Sequence, residues 1–189
     1  MKKYIKSSLL GISIMLVSVN TLAADFNYTW GQVSYDDVSL DISGLRNIDG
    51  DGLTFSGAYE VTPVVYVKGS ISMWDMDFGV DVDYLQFGAG YHTPVNNKTD
   101  AVFEFSFGDL DIDSTSIDSW TLSAAVRHQI DNKLELDGAI GLTDYDNDDT
   151  EVFLAFNALY SFKKDIAGIF KFRTEDNIDI VSFGVRFYF

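Results

Sequence analysis

Two stretches decide the fold: Ala101-Val102-Phe103-Glu104-Phe105-Ser106-Phe107-Gly108 and Trp120-Thr121-Leu122-Ser123-Ala124-Ala125-Val126-Arg127. In the first, Ala101, Phe103, Phe105 and Phe107 occupy every second place. In the second, Trp120, Leu122, Ala124 and Val126 do the same. A period of two is that of an extended strand with one apolar face, because successive side chains point to opposite sides of a sheet. The pattern recurs on both sides. It runs through Leu134 to Leu142, Val152 to Phe162 and Val181 to Phe189, and more weakly through Leu53 to Tyr59, Val65 to Met73 and Leu85 to Tyr91. The least regular copies are a first strand near Phe26 to Tyr35 and a ninth near Ile166 to Arg173. No stretch after Phe26 holds a helical period. An all-β chain of ten antiparallel strands is predicted, or eight if the two irregular strands merge or fray.

The connections alternate in kind. Glu60 to Pro63, His92 to Thr99, Ile130 to Lys133 and Lys163 to Asp165 carry the Pro, Asn, Asp and Lys of tight turns. Between them lie Asp36 to Asp51, Asp75 to Asp83, Asp109 to Asp118, Asp144 to Glu151 and Glu175 to Asp179, which hold 21 of the 29 carboxylates. A soluble β-sandwich also alternates, but nothing requires it to gather its acids at one end of every hairpin. An up-and-down transmembrane barrel, with short turns at one end, surface loops at the other and an outward apolar band, accounts for the asymmetry. Strands of about ten residues also suit the bilayer, and closing the sheet leaves no unpaired edge in lipid.

The first residues fit that placement. Lys2, Lys3 and Lys6 precede an apolar run from Leu9 to Val19 and then Thr21-Leu22-Ala23-Ala24, the three-part pattern of a secretory signal peptide. Residues 1–23 are therefore expected to be a cleaved leader and residues 24–189 the barrel domain, with cleavage after Ala23 or, second, Ala24. The chain has no cysteine, which excludes disulfides, thiolate metal sites and thiol catalysis. Outside the leader, 10 Lys and Arg face 29 Asp and Glu, a balance that opposes binding to nucleic acid.

The C-terminal stretch Val185-Arg186-Phe187-Tyr188-Phe189 resembles the last strand of bacterial outer-membrane proteins, alternating and ending on phenylalanine. In hairpin rhythm and length the chain resembles small outer-membrane barrels of the opacity-protein and OmpA/OmpX-like class. That resemblance implies a cell outer-membrane location, with Phe183, Val185, Phe187 and Phe189 as the signal read by the barrel-assembly machinery. The class mostly has eight strands, so ten would depart from it. No catalytic or binding residue comes with the resemblance.

With the apolar phase outward, the opposite phase faces the lumen. It brings Glu60, Lys68, Glu104, Arg127, Glu135, Asp137, Lys171, Arg173 and Arg186 inward. Five cations and four anions are expected to neutralise one another, since an unpaired charge in a confined interior costs several kcal/mol. A lumen plugged by salt bridges is the first expectation; a narrow cation-preferring channel is the second. At the acidic end, Asp109, Asp111, Asp113, Asp144, Asp146, Asp148, Asp149 and Glu151 form a carboxylate rim. Such oxygens suit loosely held calcium or magnesium, bridging to lipopolysaccharide, or a basic protein partner drawn by the field. The string at Asp144 lacks the glycine and glutamate of an EF-hand, and no specific metal site or other cofactor is expected. The two histidines, His92 and His128, fall at the short-turn end, away from the acids and beside interfacial aromatics. A general base must reach its partner, so no enzymatic activity is expected. The expected role is structural or surface-interacting.

Overall fold

The computed structural model describes residues 26–41, 48–113, 115–146 and 150–189. The predicted leader lies outside them, as do Asp148 and Asp149. Ten strands run in chain order: β1 Trp30–Leu40, β2 Ile48–Thr62, β3 Val65–Met76, β4 Val80–Asn96, β5 Thr99–Ile112, β6 Thr115–Gln129, β7 Leu134–Tyr145, β8 Thr150–Lys163, β9 Ile166–Glu175 and β10 Ile178–Tyr188. Each pairs antiparallel with its neighbours in sequence. β10 also pairs with β1, Trp30 opposite Tyr188 through Leu40 opposite Ile178, so the sheet closes as a ten-stranded up-and-down barrel. The eight-strand alternative is thereby excluded, because the irregular first and ninth strands both form full ladders.

The outward phase is the apolar one. Phe55, Ile71, Phe87, Phe103, Phe107, Leu122, Ile140, Leu154 and Phe183 are each about half exposed, and they form a continuous belt because register places them opposite one another. Phe87 faces Phe107, Phe107 faces Trp120, and Leu122 faces Leu142. Aromatic pairs stitch the belt across strands, with ring centroids 5.8 Å apart for Phe87 and Phe107 and 5.2 Å for Phe170 and Phe183. So much apolar area turned outward, with a polar interior, is the surface of a protein whose solvent is lipid.

The short turns are built by side chains that replace missing backbone partners. Asp131 Oδ1 accepts from the backbone N–H of Lys133 at 2.7 Å and of Leu134 at 2.9 Å, Asn96 Oδ1 accepts from Lys98 N–H at 2.8 Å, and Thr62 Oγ1 accepts from Val65 N–H at 3.1 Å. Those Asx- and Ser/Thr-type turns fix the reversals. Register shifts at Glu60/Thr62, Pro94/Asn96 and Ser161/Lys163 all fall at this same end, where bulges let the strands turn.

Two sequence expectations change. His92 was assigned to a turn, but β4 continues to Asn96 and His92 faces the lumen, 8% exposed; Pro94 sits at a bulge and does not end the strand. The acidic stretches, read as loops, are largely strand. β4 begins at Val80, β5 runs to Ile112 and β10 begins at Ile178. In these extensions the phase reverses: Asp75, Asp81, Asp83, Asp109 and Asp179 hold the outward positions while Met76, Val82, Leu110 and Ile180 turn inward. In these extensions the outer face is acidic and the inner face carries apolar side chains beside the Arg173–Glu175 pair.

Two measurements test this frame. Leu122→Arg puts a cation in mid-belt and should cost about 2–4 kcal/mol in reversible unfolding from lipid vesicles, whereas Asp109→Arg, beyond the belt, should cost far less. Asp131 is held below the usual carboxylate range by its two backbone donors. Its stabilising effect is therefore complete above the unfolded value of about 3.9 and lost as pH falls through the lower folded value. Asp131→Asn should lower the neutral plateau slightly and flatten the acid limb of the stability profile, converging on wild type in strong acid, where the carboxyl is protonated.

Candidate functional site: the lumen and its floor

Phe26 to Thr29 precede β1 and lie outside the strand ladder, yet Tyr28 is only 2% exposed. It enters the short-turn end of the barrel. There it meets the side of the wall opposite its own strand, since β5 and β6 stand across the ring from β1. Its hydroxyl donates to Asp100 Oδ2 on β5 at 3.0 Å, and His92 Nδ1 contacts the same oxygen at 3.1 Å. The Tyr28 ring stacks on His92 with centroids 3.8 Å apart and on Tyr66 at 4.9 Å. The Arg127 guanidinium lies 4.6 Å from the centroids of both Phe26 and Tyr28, a cation–π contact strengthened by exclusion of water. Tyr28, Tyr66 and Val102 form a buried cluster against which Phe26, Ala58 and Ala125 pack. Gly90 makes room for it: a Cβ there would stand 2.1 Å from the Tyr66 ring.

Above this floor, charges pair across strands. Lys68 Nζ donates to Glu104 Oε2 at 2.6 Å while Tyr66 donates to Glu104 Oε1 at 2.5 Å. Arg127 Nε donates to Glu135 Oε1 at 2.7 Å. The amide of Asn157 donates to Asp137. Arg186 donates from Nε and Nη2 to Gln32 Oε1, at 3.0 and 2.8 Å, and lies 4.0 Å from the Trp30 ring centroid. Higher still, Arg173 bonds Glu175 at 2.5 Å and Thr143 at 3.1 Å and covers the Phe153 ring. Asp36 accepts from Ser34 at 3.0 Å, from Trp74 Nε1 at 3.1 Å and from Thr54. A cavity of about 440 Å³ runs from Leu40, Met76 and Ile112 at the acidic end down to Tyr28 and Arg127.

The nine charges singled out by sequence all lie in the inward phase, where strand order and height choose the partners. Arg127 takes Glu135 and leaves Asp137 to Asn157; Glu104 takes Lys68. Glu60 and Lys171 make no ion pair among the described residues. Sequence reasoning missed the aromatic floor and with it Tyr28, Tyr66, His92, Asp100 and Asp36. A signal was present: Phe26, Tyr28 and Trp30 share the parity of Gln32, Ser34 and Asp36, three aromatics in line with the polar side chains at the start of β1. His128, by contrast, stays on the outer face beside Val126, its ring nitrogen 2.8 Å from Thr99 Oγ1.

The rim is divided. Asp109 and Asp111 face outward on β5, with Ser116 donating to Asp109. Asp113 occupies the left-handed region at φ 55°. Asp144 accepts from Thr150 at 2.9 Å, Asp146 donates its backbone N–H to the Asp118 carbonyl, and Glu151 stands opposite Thr143 in the inward phase. Among the described residues, no three carboxylates or histidines converge on one point. At the seam, Phe183, Val185 and Phe187 lie on the outer face of β10, and Phe189 donates its N–H to the Thr29 carbonyl.

No known family profile matches the sequence, and no curated protein is similar to it. Among solved structures, the barrel is similar to an outer-membrane channel from Pseudomonas putida F1, with a TM-score of 0.56 and 11% identity over 90% of this chain and 98% of that one. It is also similar to the translocator domain of the autotransporter NalP from Neisseria meningitidis, at 0.49 and 12% over 85% and 88%. The KdgM porin, solved with disordered oligogalacturonate, matches at 0.48 and 8% over 84% and 99%. The first of these likenesses, at 11% identity, shows a shared β-barrel fold.

The floor makes a quantitative demand. Arg127→Ala strands Glu135 and removes the cation between Phe26 and Tyr28, so it should cost about 3–5 kcal/mol by denaturant titration in lipid vesicles. Arg127→Met combined with Glu135→Leu should recover most of that loss, because an apolar pair removes both buried charges together.

Proposed function

We propose that this chain is an integral protein of the bacterial outer membrane, exported by its leader, with a closed lumen and a structural or surface-interacting role. The observation that carries a closed lumen is the aromatic floor: Tyr28, stacked on His92 and on Tyr66, which also meet each other, occupies the short-turn end of the barrel. The apolar belt supports residence in a bilayer. Carboxylates gathered at the end away from the tight turns support orientation of that end toward the cell exterior. Phe183, Val185, Phe187 and Phe189, on the strand that closes the seam, would be read by the barrel-assembly machinery. No enzymatic activity and no resident cofactor are assigned to it, as both histidines lie at the end opposite the carboxylate rim.

At the acidic end the partners would be lipopolysaccharide and divalent cations, or a basic protein. Neighbouring strands set like charges directly opposite one another, Asp51 against Asp75 and Asp75 against Asp81, an arrangement that is destabilising unless cations screen it. Loosely held calcium or magnesium would relieve that repulsion and bridge to anionic lipid. A cation-preferring channel is the second reading, favoured by the cavity that is continuous from the acidic end to the floor.

Millimolar magnesium should raise the unfolding midpoint, and Asp75→Asn should both raise the midpoint in its absence and blunt the response. Refolded protein should migrate faster unboiled than boiled in SDS gels and should be silent in a planar bilayer. Steady conductance from demonstrably inserted wild-type barrel would transfer the case to the channel.

A further inference from the structure

The floor is built by a segment that is not part of the barrel wall. The ten strands are held by continuous ladders, whereas Phe26 to Tyr28 are joined to the barrel by side chains; the backbone bonding of the wall reaches the segment only at Thr29, whose carbonyl accepts from Phe189 N–H at 3.2 Å and whose Oγ1 accepts from Glu60 N–H at 3.1 Å. Tyr28 hydroxyl binds Asp100, Asn27 Nδ2 donates to the Phe189 carbonyl at 3.3 Å, and Asn27 Oδ1 accepts from Thr29 N–H at 2.7 Å. The strap reaches across the lumen, from β1 to β5 and β6, to make its contacts. Its withdrawal would leave all ten ladders intact.

From this we infer that the strap Phe26 to Thr29 is a tethered stopper, and that releasing it opens a latent pathway for small inorganic cations through the barrel. The inference rests on the closed-lumen reading and deepens it. What lies above the stopper suits such a pathway. The cavity already runs the remaining height of the lumen. Carboxylates of the inward phase, including Asp36, Asp100, Glu104, Asp137 and Glu175, stand at successive heights, and with Glu60, Glu135 and Glu151 they outnumber the five inward cations. A confined path lined by an excess of one sign raises the concentration of the opposite ion. The acidic end adds to the same preference.

Nothing in the wall needs the strap for closure. Lys68 with Glu104 and Arg127 with Glu135 pair without it. Without the two strap rings, Arg127 keeps its carboxylate, Asp100 keeps His92, and the space filled by Phe26 and Tyr28 passes to water. Tyr66 remains at the wall against Gly90.

The test is planar-bilayer recording in potassium chloride of wild-type protein, the double variant Phe26→Ala/Tyr28→Ala, the isosteric Tyr28→Phe and the outer-face control Tyr59→Ala. Heat-modifiable mobility establishes that each is folded. Wild type and control should be silent. The double variant should give sustained steps whose reversal potential under a salt gradient is that of cations. Tyr28→Phe keeps the ring but loses the Asp100 bond, and should show brief flickering openings that wild type does not. A folded but silent double variant, or anion-selective steps from it, would overturn the stopper while leaving the closed lumen standing. Should the double variant not fold, Tyr28→Phe indistinguishable from wild type would overturn it as well. Steady current through wild type would instead sink the closed lumen itself.

Discussion

Backbone N–H and C=O groups have no water to bind inside hydrocarbon, and each one left unpaired there costs several kcal/mol. Everything else in this barrel follows from meeting that demand with strands. Once the sheet must close, β10 has to find β1, and the eleven-residue register from Trp30 and Tyr188 to Leu40 and Ile178 is the seam that removes the last free edge. Closure then divides the side chains into two populations by parity alone. One becomes the lipid face, and the other is confined in a narrow interior where charges must find partners.

Ten strands give a lumen slightly wider than side chains fill readily, and the chain meets the surplus in two ways. In the lower half of the lumen it uses long paired side chains, Lys68 with Glu104 and Arg127 with Glu135. At the short-turn end, where the wall alone would leave a gap, it inserts a segment from outside the wall. Stacked aromatics suit that place because they bury much area for few rotatable bonds, and Arg127 serves both the pair and the stack. The paired charges and the aromatic strap thus meet at one guanidinium.

The fold was readable in the sequence because period two is a direct image of the sheet. Phe103, Phe105 and Phe107 needed no tertiary information to be assigned one face, and even the irregular first and ninth strands could be counted. The site was readable only in part. Parity sent Lys68, Glu104 and Arg127 inward, but partner choice depends on which strands adjoin and at what height, so Glu104 met Lys68 and Asp137 met Asn157. Tyr28 was overlooked because it resembles the start of a strand; its aromatic character in the polar phase was the available clue. His92 was misplaced because Pro94 reads as a turn, whereas a bulge accommodates it within β4.

The reversal of phase above the belt also fixes where the protein sits. On β8 the outer apolar face runs from Val152 to Phe162, roughly 34 Å along the strand and about 26 Å of vertical height at a tilt near 40°. The aspartates begin beyond the upper limit on most strands. Sinking the barrel by a single outward row, about 5 Å at that tilt, would drag a whole circle of carboxylates into hydrocarbon, and raising it by as much would expose a circle of phenylalanine and leucine to water. The chain therefore carries its own waterline, written as a change of parity. Its draught in the membrane is set without any anchor, and a bilayer that thickened or thinned would press first on the strands where that line is drawn.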